Sequence, residues 1–345
     1  MNDNSSLLQK QNLETLLLSI YLPLHKKVPL FGPKKKVIVL AGPTGTGKTE
    51  LSLHLASLLG GEIISADSMQ VYKNMDIGTA KVSTEVRQKI PHHLIDVVDV
   101  HEPFNVATYF SLVEKTLQEI VARGNVPIIV GGSGFYLEAI LYGPPLGPKS
   151  DPVVRKSLEN KMEELGCAAM YEQLQLLDPE YAKNITENDR HKIIRALEIM
   201  TISEKKVSDF KRPLVIKNDK YDFRLWFLYY PLETLYHRIE KRCLDMIKEG
   251  LIEEVHRLKE EGLAKNAIAA KAIGYKQVLE FLDTDRTSED YDWLIYTFKQ
   301  VSRHYAKRQM TWFRRKHPPF RWINFEKHSK AKVIEWILQD YEQAM

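Results

Sequence analysis

The segment Gly42-Pro43-Thr44-Gly45-Thr46-Gly47-Lys48-Thr49 constrains this chain more than any other, because it satisfies GxxxxGK[ST] at every fixed position. With glycine at about 7% of residues, a chain of this length meets that pattern by chance about once in a hundred cases. Its surroundings sharpen the signal. A β-branched run, Val37-Ile38-Val39-Leu40, enters the loop, and a helix-patterned stretch, Lys48–Leu59, leaves it with Leu51, Leu55, Leu58 and Leu59 on one face before Gly60-Gly61 stops it. In such a turn, backbone N–H groups and a helix N-terminus surround phosphate oxygens. The lysine neutralises the terminal phosphates and the final hydroxyl ligates Mg²⁺. Gly42–Thr49 is therefore expected to hold a diphosphate or nucleotide, with Lys48 acting on the leaving phosphates and Thr49 as metal ligand; the bland alternative is a Gly-rich turn with no ligand.

Strand-like and helix-like runs then alternate. Val37–Leu40 is followed by the Lys48–Leu59 helix, Glu62–Asp67, a helix near Phe104–Arg123, Val126–Val130 and a helix over Gly134–Leu141. This order predicts an α/β fold with a parallel sheet covered on both faces, of the P-loop NTPase-like kind. The breaker cluster Gly143-Pro144-Pro145-Leu146-Gly147-Pro148 ends the first part of the core. Residues 146–212 read as a helical insertion, and 213–345 as completion of the core, with a strand at Phe223–Tyr230 and helices at 232–248, 250–261, 288–308 and 329–342. Residues 1–36 read as an arm or linker, with folded structure starting at Val37.

Other classes are excluded by simple observations. The two cysteines, Cys167 and Cys243, are far apart, so no CxxC pair exists to build a zinc ribbon or a thioredoxin-type site, and a reducing compartment is the simplest reading. The most apolar stretch, Leu16–Leu24, is much shorter than the roughly 20 residues that a bilayer-spanning helix needs, and Pro23 interrupts it. A cytoplasmic protein without a membrane contact is expected. His92 and His93 are adjacent and so point in different directions, which argues against a metal pair.

An ordinary ATPase or kinase is also disfavoured. The strand Pro127-Ile128-Ile129-Val130 ends in Gly131-Gly132, where a hydrolytic site would present a carboxylate to Mg²⁺ and water. The acid instead ends the second strand, at Asp67. Because ligands in parallel sheets lie beyond the carboxyl ends of the strands, Asp67, Lys48 and Ser133 should converge on one cleft.

Charge is unevenly distributed. Residues 299–321 hold eight Lys and Arg and no acid, whereas the stretch from 37 to 298 is net acidic. Lys299, Arg303 and Lys307 recur at four-residue spacing, Arg314 rejoins their face, and Tyr305, Trp312 and Phe313 are interleaved. A basic helical stripe with aromatics suggests a polyanion contact; a merely solvated face is the alternative.

Several motifs, taken in order, resemble the tRNA dimethylallyltransferases (tRNA isopentenyltransferases), bacterial type. They are Gly42–Thr49 (GPTGTGKT), Asp67–Tyr72 (DSMQVY), Asp76–Lys81 (DIGTAK), His92–Asp96 (HHLID), Gly131–Tyr136 (GGSGFY), Asn188-Asp189 with Arg195–Glu198 (RALE), Ala272–Gln277 (AIGYKQ) and Tyr305–Phe313 (YAKRQMTWF). The resemblance covers about 37–325. Ser133 stands where the family commonly has threonine, which keeps the hydroxyl. The segment Arg190-His191-Lys192-Ile193-Ile194-Arg195 departs from the usual Gln-Arg ahead of Ile-Ile-Arg.

The resemblance implies transfer of a dimethylallyl group from dimethylallyl diphosphate to the exocyclic amine of the adenine at tRNA position 37, beside the anticodon, with release of pyrophosphate. It implies Mg²⁺ as cofactor, Asp67 as proton acceptor and Ser133 as an orienting hydroxyl. Asp67 has an alternative reading as an indirect metal ligand or helix N-cap, and Ser133 as a turn residue. Arg238 and Arg242, at i and i+4, are candidates for the pyrophosphate, or else pair with surface acids such as Glu240 and Asp245. Contacts with the tRNA anticodon stem-loop are expected from Asp67, Ser68, Met69 and Gln70; from Arg155, His191, Lys192 and Arg195 in the insertion; from Lys271, Tyr275 and Lys276; and from Arg303, Lys307, Arg308 and Arg314. A monomer is expected. The competing readings are an adenylate isopentenyltransferase acting on a free nucleotide and a nucleotide or small-molecule kinase. The first is disfavoured because a mononucleotide needs neither the insertion nor the basic segment.

Overall fold

In a computed structural model of the chain, residues 35–210, 220–315 and 319–343 are described. The arm expected over most of 1–36 and the start of the core's completion at 213 lie outside them. Contacts divide the chain into two compact units, one formed by residues up to Leu141 together with those from Asn218 onwards, the other by Tyr142–Lys217.

The first unit is built on β1 (Lys35–Ala41), α1 (Lys48–Leu59), β2 (Gly61–Ala66), α2 (Thr84–Lys89), β3 (His92–His93), α3 (Val106–Ala122), β4 (Val126–Gly131) and α4 (Gly134–Tyr142). The second unit carries α5 (Pro152–Leu177), kinked at Gly166, α6 (Pro179–Ala182) and α7 (Arg190–Ser203). The chain then returns to the first unit with β5 (Tyr221–Tyr229), α8 (Leu232–Lys248), α9 (Leu251–Glu260), α10 (Tyr275–Leu282), α11 (Ser288–Arg315), β6 (Arg321–Asn324) and α12 (Lys330–Glu342).

Among the described residues six strands pair in the order β3-β2-β4-β1-β5-β6, every pair parallel. The α/β class and the parallel sheet are as expected. β1 lies centrally, and Val37 to Ala41 are fully buried, because a parallel sheet covered by helices has two apolar faces and so tolerates an unbroken run of Val, Ile and Leu. Each such side chain contributes roughly 1.5–3 kcal/mol on burial, so β1 is the element around which the unit is organised.

Some expectations are corrected. β1 starts at Lys35 rather than Val37, because Lys35 and Lys36 pair with Tyr221 and Asp222, and the Lys36 ammonium donates to the carbonyls of Tyr341 (2.5 Å) and Gln343 (2.7 Å). α1 buries Leu51, Ser52, Leu55 and Ala56, while Leu58 and Leu59 are only half-buried, so its core face is rotated from the leucine pattern. α11 extends to Arg315 instead of ending near 308, so Arg314 belongs to the same helix as Arg303 and Lys307. Two short strands, β3 and β6, carry no clear signal because edge strands of two to four residues are too short for a periodicity. Among the described residues no helix is long and apolar enough to cross a membrane.

Candidate active site

The loop between β1 and α1 is shaped by its own contacts. Gly47 precedes the helix with φ of 85°, a left-handed conformation that a side chain would oppose. The Thr46 hydroxyl donates to Pro43 O at 2.9 Å, and Lys48 Nζ donates to the same carbonyl at 2.7 Å. Lys48 therefore folds back over the loop. Burial, and then the neighbouring Arg242 guanidinium, lower its pKa to about 7, while the Asp67 carboxylate partly offsets both effects.

The two arginines proposed for the pyrophosphate come from one face of α8. Arg242 Nη1 donates to the Thr44 hydroxyl at 2.8 Å, and Arg238 Nε donates to Gly45 O at 2.8 Å while its guanidinium lies 4.8 Å from the Tyr230 ring centre. Glu240 instead pairs with Arg303, and Asp245 with Lys241, so those acids do not draw Arg238 and Arg242 away from the loop. Arg242 is half-buried, and desolvation lowers its pKa, again offset by Asp67. Two half-buried cations held side by side form a site that an anion stabilises.

Asp67 follows the last residue of β2 and Ser133 lies between β4 and α4. Asp67 Oδ1 accepts from Met69 N (2.9 Å), and Ser133 Oγ accepts from Ser68 N (3.1 Å) and lies 3.4 Å from the Ser68 hydroxyl. Asp67 and Tyr305, whose phenol interacts with Ser133 and is raised in pKa by burial, line a cleft of about 400 Å³ that also takes in Thr44, Lys48, Thr49, Ser68, Gln70, Arg242 and Lys271. The topology thus brings Asp67 and Lys48 to one cleft, and Ser133, expected there with them, sits behind its wall against Ser68.

The missing carboxylate at the end of β4 has a steric reason. A Cβ on Gly131 would come within 2.1 Å of Ala66 O, and one on Gly132 within 2.2 Å of the Gln309 amide. Gln309 occupies that space from α11: its Nε2 donates to Gly132 O (2.9 Å) and its Oε1 accepts from Thr44 N (3.1 Å). This staple between the phosphate loop and the Gly132 turn was not singled out in the sequence. Its signal is a glutamine on the buried stripe Phe298, Ser302, Ala306, Met310, Phe313, which is otherwise apolar or small.

Other expected site residues are distributed unevenly. Ser68, Met69, Gln70, Lys271 and Arg308 line the cleft. Lys307, Arg308 and Arg314 are exposed, and Arg314 lies over Trp322. Arg303 is ion-paired with Glu240, so it is not a free phosphate-binding cation. Tyr275, expected at the tRNA surface, is fully buried in the wall of the cleft, its hydroxyl donating to Glu254 at 2.6 Å. Lys276 is exposed beside Glu280 (3.4 Å).

Within the Tyr142–Lys217 unit, Arg195 donates to Glu198 (2.7 Å) and to Pro148 O (2.6 Å), and Arg155 lies near Glu159 and the same Glu198. Glu198 is fully buried, so these two arginines neutralise it rather than presenting free guanidinium groups. His191 and Lys192 are exposed, Lys192 beside Asp189.

For a metal, the available ligands are hard oxygens: the Thr49 hydroxyl and the Asp67 carboxylate on the same cleft. Mg²⁺ is usually held by one or two such groups plus substrate phosphates and water. Among the described residues there is no cluster of three or more His, Cys, Asp or Glu to hold an ion by itself. The donor set fits a magnesium ion that is shared with a diphosphate.

The family described as IPP transferase matches residues 70–316. The chain is 52% identical over 336 residues to the tRNA dimethylallyltransferase of Protochlamydia amoebophila, covering 97% of both chains, and 49% identical to that of Chlamydia pneumoniae over 89% of this chain and 90% of the relative. Among solved structures, it is similar to the tRNA delta(2)-isopentenylpyrophosphate transferase of Staphylococcus epidermidis (38% identity, TM-score 0.64, 89% of this chain and 99% of that one). It is also similar to a eukaryotic dimethylallyltransferase acting on tRNA (30% identity, TM-score 0.75, 89% of this chain and 79% of that one).

Proposed function

This chain belongs to the IPP transferase family, and on that premise we propose that it transfers a dimethylallyl group from dimethylallyl diphosphate to N6 of the adenine at position 37 of tRNA, releasing pyrophosphate. The observation that carries this reading is the pairing of two half-buried cations, Lys48 and Arg242, at the phosphate loop with Asp67 on the same cleft. A diphosphate seated there has its charge balanced as the bond from the allylic carbon to oxygen breaks. Arg242, Lys48 and the loop amides bind the leaving group. The adenine amine attacks the allylic carbon, the new C–N bond forms, and Asp67 takes the displaced N6 proton. Ser133 orients the amine, with Tyr305 behind it. Thr49 and Asp67 would hold Mg²⁺, which would supply further charge neutralisation on the diphosphate.

Tyr305, Arg308 and the exposed Lys307 and Arg314 place aromatic and basic groups on one helix at and beyond the cleft, the combination that recognises a single-stranded RNA loop. Action on the anticodon stem-loop, as a monomer in the cytoplasm, belongs to the same proposal. Radiolabelled dimethylallyl diphosphate incubated with total tRNA, with AMP, or with water alone tests it. Label in tRNA at an adenine beside the anticodon is the expected result; label in AMP alone would make the enzyme an adenylate isopentenyltransferase.

A further inference from the structure

The carboxylate of Glu254 on α9 is buried, and the reaction above does not use it. It accepts hydrogen bonds from the backbone amides of Asp76 (3.1 Å), Ile77 (2.8 Å) and Gly78 (3.4 Å) and from the Tyr275 hydroxyl (2.6 Å). A buried carboxylate is costly unless its lone pairs are satisfied, and four donors are a full set. Glu254 thus joins two sequence motifs, Asp76–Lys81 and Ala272–Gln277, to which no step has been given.

The turn held by Glu254 is tight. Gly78 lies against the Tyr275 ring so closely that a Cβ would come within 2.4 Å of it. The Thr79 hydroxyl donates to Met75 O (2.5 Å), and the Lys81 ammonium donates to Tyr72 O (2.6 Å), Asp76 (2.8 Å) and Asp96 (2.6 Å). What the turn presents to the cleft is the Thr79 carbonyl, which accepts from Gln70 Nε2 at 3.1 Å, while Gln70 Oε1 accepts from the Ser65 hydroxyl at 2.8 Å. These two bonds give the Gln70 amide one orientation and leave it one N–H and one lone pair. An amide with one free donor and one free acceptor matches an adenine edge, where an amine lies beside a ring nitrogen.

We infer that Glu254 is a positioning residue for base recognition: it holds the Asp76–Lys81 turn so that the Thr79 carbonyl orients the Gln70 amide toward the acceptor adenine. The inference rests on the proposed transfer to tRNA. It does not involve the phosphate loop, so it separates adenine recognition from diphosphate binding.

A double-mutant cycle with Glu254→Ala and Gln70→Ala tests it, with kcat and KM measured for tRNA and the Kd for dimethylallyl diphosphate measured separately. Glu254→Ala should lower kcat/KM for tRNA about tenfold or more while leaving the diphosphate Kd within about twofold. On the Gln70→Ala background it should cost less than about twofold, since the group it positions is gone. Losses that multiply across the two sites, or a Glu254→Ala enzyme with parental kcat/KM, overturn the inference. If Glu254→Ala does not fold, Tyr275→Phe removes one bond to the same carboxylate; a loss of about threefold that vanishes on the Gln70→Ala background supports the inference, and one that persists there overturns it. A parent enzyme that transfers no label to tRNA removes the functional reading itself, whereas an active parent with an additive cycle removes only the role of Glu254.

Discussion

The Arg242 guanidinium donates to the Thr44 hydroxyl at 2.8 Å, so a helix that begins after β5 completes a phosphate loop that follows β1. The cleft therefore brings a second cation to the loop beside Lys48, and after burial this guanidinium lowers the lysine's tendency to carry charge until an anion arrives.

Proton uptake on substrate binding follows from this. Lys48 is held at about 7 by burial and by Arg242, and a bound diphosphate raises it by favouring the charged form. Below pH 7 the lysine is already protonated, and above it binding must recruit the proton, so dimethylallyl diphosphate affinity falls as pH rises through 7. Calorimetry at pH 8 in buffers of different ionisation enthalpy should show uptake of about one proton, and Lys48→Arg should abolish it. Equal heats in all buffers would dismiss the effect.

Asp67→Asn should retain the fold and both substrates and lose orders of magnitude in kcat, because an amide cannot accept the amine proton. A kcat within about threefold of the parent, well short of the tenfold that 1.4 kcal/mol represents, would remove Asp67 as the base.

Gln309→Ala strips partners from Thr44 N and Gly132 O, two backbone groups beside the cleft. Each unsatisfied group costs about 1–3 kcal/mol unless water replaces the side chain, so the melting temperature should drop by several degrees and KM for dimethylallyl diphosphate should rise. Gln309→Glu separates the two effects: its carboxylate still accepts from Thr44 N but sets a negative charge beside the phosphate loop, so the diphosphate KM should stay raised even where the melting temperature recovers.

Salt dependence distinguishes the cations of α11. Each phosphate neutralised contributes roughly −0.7 to −0.9 to the slope of log K against log salt, so replacing Lys307, Arg308 and Arg314 together should flatten the slope for tRNA binding by about 2. Arg303→Ala should leave that slope unchanged and reduce stability, because it strands Glu240. Equal slopes for the parent and the triple variant would mean that the stripe does not touch tRNA.

Much of the candidate site was legible along the chain because its signals are local. The phosphate loop is a contiguous strand, turn and helix whose glycines and Lys48-Thr49 are set by backbone geometry. Asp67 and Ser133 end strands of a parallel sheet, and that topology sends strand ends to one edge. Tyr275 and Arg303 show what is not legible along the chain: a motif or a charge period says which residues recur, not which way a helix turns. Tyr275 turned inward to Glu254, and Arg303 found Glu240 on a helix more than fifty residues earlier.

By itself, then, the sequence determined the α/β class, the phosphate loop, the acid at the end of β2 and the concentration of positive charge in 299–321, all of which follow from local periodicity and composition. Only the tertiary structure decided that Arg242 caps Thr44, that Gln309 fills the space where a carboxylate would stand, and that Glu254 ties the Asp76–Lys81 turn to Tyr275. Those contacts join positions more than a hundred residues apart or residues on separate elements. A buried polar side chain is specified by the donors and acceptors left over when distant segments pack, and these exist only once the chain has folded.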